Sequence, residues 1–490
     1  MKVLLVYPEN PDTFWSFKHS LPFVAKRAAF APLGLLTVAA MLPSDWELEL
    51  VDLNVEALRD ESIRAADYVF LSAMIVHKPS VLKVLERCRA LATPVIAGGP
   101  LFTTGYEDFP DVEHLVLGEA ESLLPELVDD LRRGTPRRIH RANGYPSIEQ
   151  SPVPRWDLID PGRYVTMSVQ FSRGCPYDCE FCDIVAMNGR VPRTKTPGQL
   201  VRELEALRVL GWKEMVFVVD DNFIGDKRRT KELLRAMIAW RERTRPAMGF
   251  FTEASVNLAD DPELCGLMTR AGFKKVFVGI ETPSTESLRE CHKLQNRDRD
   301  LVAAVHSLQR AGLEVMGGFI VGFDNDRPDI FQRQFEFIQR SGVATAMVGL
   351  LTALPQTKLY HRMKREGRLQ FASNGNNTLA ALNFEPKLER AFLEDGYREL
   401  MKKLYEPKAY YQRVRVFLKQ HRPTGPRVAR SPADVRAFLK SLWVLGARHR
   451  GRWAYWRLCA STLLKRPHQF PRAIELAILG FHFRLIAAAL

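Results

Sequence analysis

The segment "FSRGCPYDCEFCDIV", residues 171–185, places Cys175, Cys179 and Cys182 within eight positions of a 490-residue chain that holds seven cysteines in all. Three thiols are one short of a closed zinc site, which takes four N or S ligands, often as paired Cys-x2-Cys or Cys/His groups. No second pair follows, and the nearest downstream histidine is His292. A redox pair of Cys179 and Cys182 stays open but leaves Cys175 without a role. A chance group of structural cysteines stays open as well. An iron–sulfur cluster accounts for all three, because thiolates are the usual protein ligands of iron. Three thiolates on a four-iron cluster leave one iron free, and an open coordination position is what separates a reactive site from a structural one.

Outward from the cysteines the chain alternates apolar runs with helical patterns. Strands are expected at "VTMSVQF" (165–171), "EMVFVVD" (214–220), "MGFFTEA" (248–254), "KVFVGIE" (275–281), "LEVMGGFIVGF" (313–323) and "ATAMVGLL" (344–351). Helical patterns follow each, one opening at Thr196-Pro197 and another at Pro328, as helix starts favour. Six βα units in a row predict a (β/α)6 partial barrel over 165–365, with chemistry where strands meet the following loops. The cysteines lie just past the first strand, on that edge.

Residues 1–145 show shorter units. "VLLVY" (3–7), "LELVDL" (48–53), "YVFLSA" (68–73), "PVIAGG" (94–99) and "HLVLGE" (114–119) are separated by helix-period stretches. This predicts a doubly wound α/β domain with a parallel sheet, whose ligands sit outside the carboxyl ends of the strands. The loops there, "PENPDTFW", "SAMIVHK", "GGPLFTT" and "GEAE", contain neither a phosphate loop nor GxGxxG. The connector 146–164, with Pro146, Pro152, Pro154 and Pro161, reads as a linker. From 366 to 490 the pattern is mainly helical and then basic.

The Cys-x3-Cys-x-Phe-Cys of Cys175, Cys179, Phe181 and Cys182 resembles the signature of radical S-adenosylmethionine (radical SAM) enzymes. The resemblance implies a [4Fe–4S] cluster whose open iron is chelated by S-adenosylmethionine, which is cleaved on reduction to a 5′-deoxyadenosyl radical. It places Phe181 against the adenine. It implies an electron donor such as flavodoxin or ferredoxin. In "VVDDNF", Asp220, Asp221 and Asn222 stand where the family often holds the methionine amino group. This chain lacks the glycines usual there, and the two aspartates could equally cap the helix at "KRRTKELL". Glu253 and Glu281 end the third and fourth strands, and a carboxylate so placed needs either a ligand or a structural cation. Gly318 in "GGFIVGF" resembles the family's fifth-strand glycine motif, where adenine approaches, against plain strand–helix packing. Arg190, Arg193 and Lys195 either reach an anion or form a solvated basic loop.

A five-stranded parallel domain ahead of such a barrel resembles the cobalamin-binding domain of one subgroup, which includes hopanoid and bacteriochlorophyll methylases. "PLGLLTVAAMLP" (32–43), "AGGP" (97–100) and "GEAE" (118–121) carry that resemblance, and the region after 365 resembles the subgroup's C-terminal extension. It implies cobalamin contacts at Ser72, Gly98, Gly99, Gly118 and Glu119. The Asp-x-His-x-x-Gly loop of mutases is missing, so the cobalamin is expected base-off, held by backbone and packing contacts. The activity implied is C-methylation of an unactivated carbon in a small metabolite. Rearrangement without methyl transfer is the alternative. A tRNA methylthiotransferase would carry three more cysteines near the N-terminus, where residues 1–150 hold only Cys88. A non-catalytic Fe–S or zinc module is the remaining reading.

The net charge of +13 is unevenly spread. From Pro407 onward 17 Lys and Arg face two acids, Asp434 and Glu475, which leaves the first 406 residues at −2. Trp443, Trp453, Tyr455 and Trp456 sit among these arginines. A helical cap with inward aromatics, an anionic membrane surface and, least favoured, RNA are the readings of this tail. The opening "MKVLLVYPEN" is too short in apolar run for a signal peptide, and no window is apolar enough to span a membrane. With seven scattered or clustered thiols, a cytoplasmic protein, at most peripheral to the inner membrane face, is expected.

Overall fold

The computed structural model describes residues 1–425 and 432–490. Its first sheet has six parallel strands in the order Glu47–Asp52, Lys2–Tyr7, Tyr68–Ser72, Val95–Gly98, His114–Leu117, Ile139–Arg141. Five are those expected, and Ile139–Arg141 is an addition at the edge, three residues long and too short to show a pattern. Along Lys2–Tyr7 the side chains alternate between faces. Val3 and Leu5 join one apolar core, Leu4 and Val6 the other, all fully buried. Helices therefore cover both faces, as a doubly wound sheet requires.

The second sheet has seven parallel strands in the order Ala346–Leu350, Glu314–Val321, Phe273–Glu281, Gly249–Ala254, Met215–Val218, Tyr164–Val169, Ala28–Phe30. Six are the expected barrel strands in sequence order. The seventh, Ala28–Phe30, comes from the N-terminal region and pairs with Tyr164–Val169. The two α/β units thus share a strand's worth of backbone hydrogen bonding as well as an apolar core. Pro197–Val209 begins as predicted, with the Thr196 hydroxyl accepting from the Gln199 N–H (3.3 Å) in a capping box.

Residues 146–164 are not a free linker. Three short 3-10 turns there bury Ile148 and Trp156, and the Glu149 carbonyl accepts from Gln199 Nε2 at 2.7 Å. The prolines predict a break in regular structure, and the apolar residues between them fasten the segment down.

After the barrel come the helices Arg390–Tyr405, Pro407–Gln420, Pro432–Trp443, Arg452–Lys465 and Phe470–Ala489. Tyr405 guards the edge strand Ala346–Leu350. Its hydroxyl donates to the Ala346 carbonyl (2.6 Å) and accepts from the Ala346 N–H (3.2 Å), satisfying groups an open edge would leave unpaired. The last helix reaches back to the first loop of the chain. Phe483 stacks on Phe14 with ring centroids 4.1 Å apart. His482 Nε2 donates to the Phe14 carbonyl (3.0 Å), and its Nδ1 accepts from the His19 N–H (3.4 Å). Burial lowers His482 to about 4, so it is a neutral hydrogen-bonding bridge. No described helix is long and apolar enough to cross a membrane.

Phe483→Ala removes a fully buried ring, a change that costs about 3–5 kcal/mol in a packed core. The expected outcome is amide hydrogen exchange at least about ten-fold faster in residues 8–20 as well as in the last helix. Unchanged exchange in residues 8–20 would show that the loop stands without the helix.

Candidate active site between the two sheets

The carboxyl ends of both sheets face one cavity of about 910 Å³, within the size of small-molecule and cofactor sites. Cys175, Cys179, Phe181 and Cys182 lie on its wall, with Asp220, Asp221, Asn222, Glu253 and Glu281 from the barrel and Ser72 from the first sheet. Residues as far apart in sequence as Ser72 and Glu281 therefore meet where the strand–loop rule puts them.

The cysteine loop has little regular structure of its own, and its position is imposed by its neighbours. Ser172–Arg173 pairs antiparallel with Arg193–Thr194 and closes the loop at its base. Asp220 accepts from the Phe171 N–H (2.7 Å) and the Ser172 hydroxyl (2.6 Å). Asp221 accepts from the Gly174 N–H (2.7 Å) and from Asn188 Nδ2 (2.9 Å). Asn222 lies 3.8 Å from Cys175 Sγ through its amide nitrogen. The three residues read as a ligand set or a helix cap thus clamp the strand-to-cysteine turn, and the cap of the following helix is Asp226, which accepts from the Arg229 N–H (3.0 Å). Burial pushes Asp220 up to about 7 against its hydrogen bonds.

Charged anchors hold the loop from both sides. Arg173 donates to Glu119 (2.6 Å) and, through two nitrogens, to Glu121 (2.8 and 2.9 Å) on the first domain's helix Ala120–Arg132 and its cap. Arg193 donates to the same Glu119 carboxylate (2.6 and 2.9 Å). On the other side Asp178 pairs with Lys358, and Glu180 with Arg362 (2.6 and 3.0 Å), whose guanidinium also reaches Asp324 (2.7 Å).

Several of the expected residues lie away from the cavity wall or face protein groups. Glu119 is not on the cavity wall; it is an ion-pair partner across the domain boundary. Arg193 and Lys195 face protein carboxylates, Glu119 and Glu203, and Arg190 lies exposed beside the Pro176 carbonyl. Gly98, Gly99, Gly118 and Gly318 are absent from the lining. Gly99, at φ 88°, brings its backbone where a Cβ would sit 2.8 Å from Ser72 Oγ and 3.0 Å from the Ala73 carbonyl, so its bareness serves loop packing. The face of Gly318 is taken by the Phe277 ring, 2.8 Å from a Cβ position, and that ring is itself cavity wall.

Glu281 has the structural cation that strand-end carboxylates call for. Lys293 Nζ donates to it at 2.7 Å. A register break in the pairing with Glu314–Val321 and a left-handed backbone (φ 67°) at Glu281 turn its carboxylate inward. Burial opposes the charge on Lys293, but Glu281 and the neighbouring Cys179 hold it above its ordinary value. Glu253 has no hydrogen bond or ion pair to another described side chain, and burial together with the Asp221 charge pushes it up to about 7.

The apolar wall was not singled out in the sequence. Phe217 and Phe251 are register neighbours with rings 4.5 Å apart, and Phe277 follows on the next strand, edge-on to Trp15 at 5.2 Å. The signal for them is period two. Phe217 and Val219, Phe251 and Glu253, and Phe277 and Gly279 are the inward positions of three adjacent strands. Lys293 carries no such signal, since it sits in a turn after the helix Thr285–Glu290.

The donor set is thiol-only: no further Cys and no His joins the three cysteines on the cavity wall. Among the described residues no three His, Cys, Asp or Glu side chains are gathered around a single-ion position. Burial raises all three thiols above their ordinary range, so their ionisation depends on a soft cationic centre in front of them. These properties suit an iron–sulfur cluster and not a closed zinc site. The opposite wall comes from the first-sheet loops, with Asn10, Trp15, Asn54, Ser72, Ala73 and Met74. Its nearby histidine is already engaged. His77 Nδ1 accepts from the Met74 N–H (3.2 Å) and its Nε2 meets Asn10 Oδ1 (2.8 Å). That wall therefore offers packing and amide contacts without an imidazole ligand.

The chain matches the radical SAM superfamily over residues 169–338, the B12 binding domain over 27–128, and a domain of unknown function over 357–490. It is 40% identical to an uncharacterized methyltransferase of Synechocystis sp., over 99% of this chain and 91% of that one. The chain belongs to the B12-binding radical SAM enzymes. The family also includes the hopanoid C-2 methylase of Rhodopseudomonas palustris, 32% identical over 95% of this chain and 90% of that one. Among solved structures, the cobalamin-dependent radical enzyme OxsB has the same fold, with a TM-score of 0.63 at 14% identity, covering 100% of this chain and 79% of that one. The radical S-adenosylmethionine methyltransferase TsrM from Kitasatospora setae matches with a TM-score of 0.61 at 17% identity, covering 97% and 99%. A radical SAM domain brings a [4Fe–4S] cluster and S-adenosylmethionine, and a B12-binding domain brings cobalamin, so this enzyme's cofactors are those three.

Arg173→Ala leaves Glu119 and Glu121 with one cation fewer in a buried position. Breaking one partner of such a set costs about 3–5 kcal/mol. The expected outcome is a lower melting temperature and a loss of iron on anaerobic reconstitution, with Arg173→Lys restoring part of both. Full iron loading by Arg173→Ala would mean the interface does not set the cysteine loop.

Proposed function

We propose that this enzyme is a cobalamin-dependent radical SAM C-methyltransferase acting on an unactivated carbon of a small hydrophobic metabolite. One observation carries the reading: the three-cysteine loop and the first-sheet loops are opposite walls of a single cavity. Chemistry begun at one wall can thus be completed from the other without the substrate leaving.

Cys175, Cys179 and Cys182 would hold the cluster. Asp221, Asn222, Glu253 and the Glu281–Lys293 pair would receive the charged groups of S-adenosylmethionine beside it, with Phe181 against its adenine. Asn10, Asn54, Ser72, Ala73 and Met74 would contact cobalamin. When bound, the cluster and S-adenosylmethionine supply one-electron chemistry for hydrogen removal, and cobalamin supplies the methyl group. The chain's own part is positioning and exclusion of water. Phe217, Phe251, Phe277 and Trp15 give the substrate space an apolar lining. Trp15 is fixed by its Nε1–H on Met347 Sδ (3.0 Å) and by the contact of Phe14 with the last helix. The unpartnered Glu253 carboxylate, raised to about 7, is protonated in part at neutral pH and can meet a cationic or a hydroxyl group. An electron donor of the flavodoxin or ferredoxin class would supply the electron.

The test is anaerobic turnover with S-adenosylmethionine labelled in its methyl group, on lipid-soluble extracts, followed by mass spectrometry. A product heavier by one labelled methyl is expected, and it should vanish, by at least a hundred-fold, in Cys182→Ala. A product without label would replace methylation by rearrangement.

Phe277→Ala opens the apolar wall without touching the thiols. Iron content should be unchanged while methylation falls about ten-fold or more, from misplacement of the substrate. Unchanged methylation would put the substrate elsewhere in the cavity.

A further inference from the structure

The C-terminal helices carry a surface that this chemistry does not use. On the helix Pro432–Trp443, Val435, Leu439 and Trp443 repeat every four residues and are all exposed, Trp443 at 62%. On Arg452–Lys465, Trp453, Trp456, Leu463 and Leu464 are exposed, with Trp453 at 75% and Leu464 at 84%. The opposite faces of both helices are buried: Ala437 and Ser441 on one, Tyr455, Leu458 and Cys459 on the other. The helices are joined by the Ser441–Tyr455 hydroxyl contact (2.9 Å), and Trp456 Nε1–H donates to the Gly446 carbonyl (2.9 Å) in the segment Val444–Arg448 between them. Their outer faces are therefore neighbours. The tail's aromatics split between the two expectations: Tyr455 packs inward, while Trp443, Trp453 and Trp456 point out.

Single exposed apolar residues are ordinary, but a contiguous set is not. This set is interleaved with cations. Arg436, Arg448, Arg450, Arg452, Arg457 and Lys465 are exposed, and none has an ion-pair partner among the described residues. We propose that these outer faces dock on an anionic lipid bilayer, the tryptophans and leucines entering the headgroup–acyl boundary and the arginines meeting lipid phosphates. Tryptophan beside arginine suits that boundary, where one end is apolar and the other wet. The aliphatic members decide against a nucleic acid. Val435, Leu439, Leu463 and Leu464 have no π-face on which bases stack, whereas a bilayer takes any apolar side chain.

The surface adjoins the cavity. Pro432–Trp443 packs on the short helix Leu21–Val24, where Lys440 Nζ donates to the Pro22 carbonyl (3.0 Å) and lies over the Phe23 ring. Leu21 lines the cavity, and Lys18, also on its lining, is exposed at the rim. Docking thus sets the rim against the lipid surface, which would admit a membrane-dissolved substrate; that last step rests on the substrate reading above, whereas the docking does not.

The experiment is flotation of the full chain on vesicles, which needs no turnover. Vesicles of phosphatidylcholine with phosphatidylglycerol should carry the protein. Phosphatidylcholine alone, or high salt, should carry at least about ten-fold less, as screening of phosphate contacts demands. The combined change Trp443→Ser, Trp453→Ser and Leu464→Ser should reduce flotation by a similar factor while iron loading stays unchanged. Should that variant fail to fold, brominated lipids should still quench tryptophan fluorescence of the unaltered protein. Absence of flotation and of quenching, equal flotation on neutral vesicles, or flotation untouched by the substitutions would overturn the proposal. Retardation of single-stranded RNA by this surface in place of flotation would assign it to a nucleic acid instead.

Discussion

Arg173, two residues before the first cysteine, shares its guanidinium between Glu119 and Glu121 of the other sheet. The set is nearly withdrawn from water, and buried charges persist only when paired and hydrogen-bonded. Pairing therefore fixes a distance: the cysteine loop must lie where the first sheet's fifth loop can reach it. Arg193 repeats the constraint from the loop's far end on the same Glu119. The active cavity exists because two α/β units, each with its ligand edge at the carboxyl ends of its strands, are held edge to edge by this one cluster and by the shared strand Ala28–Phe30.

The remaining anchors serve the same loop from the barrel's end. Glu180, between the second and third cysteines, is gripped by Arg362, and Arg362 is itself shared with Asp324. Burial raises the Asp324 carboxyl, but hydrogen bonds from Arg368 and Arg362 outweigh it and hold the group down to about 2. The C-terminal region closes the opposite wall by packing Phe483 on Phe14, beside Trp15. The domain of unknown function thus braces the cysteine loop with the 358–365 helix and the loop of Phe14 with Phe470–Ala489.

Much of this is legible in the sequence, for physical reasons. The strands read from their apolar runs, because parallel strands covered on both faces are apolar throughout. The cysteine spacing named its ligand type. Carboxylate-ending strands announced a site, although the partner of Glu281 could not be named, because Lys293 lies in a turn without periodicity. What stayed hidden were contacts between remote segments. Neither Ala28–Phe30 nor Ile139–Arg141 is long enough to show a pattern. The resemblance implies ligand contacts at the glycines, and the fold adds a packing reason for two of them, since Ser72 and Ala73 approach Gly99 and Phe277 approaches Gly318. Asp220 and Asp221 also hold, through their hydrogen bonds, the turn that presents Cys175, a role that their sequence position does not show. Sequence shows which residue types are unusual in place; whether they act on a ligand or on the chain depends on neighbours that only folding supplies.

On the proposed function, one cavity is shared by a cluster on the three thiols and a cobalamin on the first-sheet loops. Anomalous diffraction at the iron and cobalt edges, from crystals of protein purified and reconstituted without oxygen, locates both metals at once. Iron is expected at Cys175, Cys179 and Cys182, and cobalt beside the 72–76 loop, facing each other across the same space with no histidine on the cobalt. Cobalt bound outside this cavity, or iron held by other side chains, would contradict it.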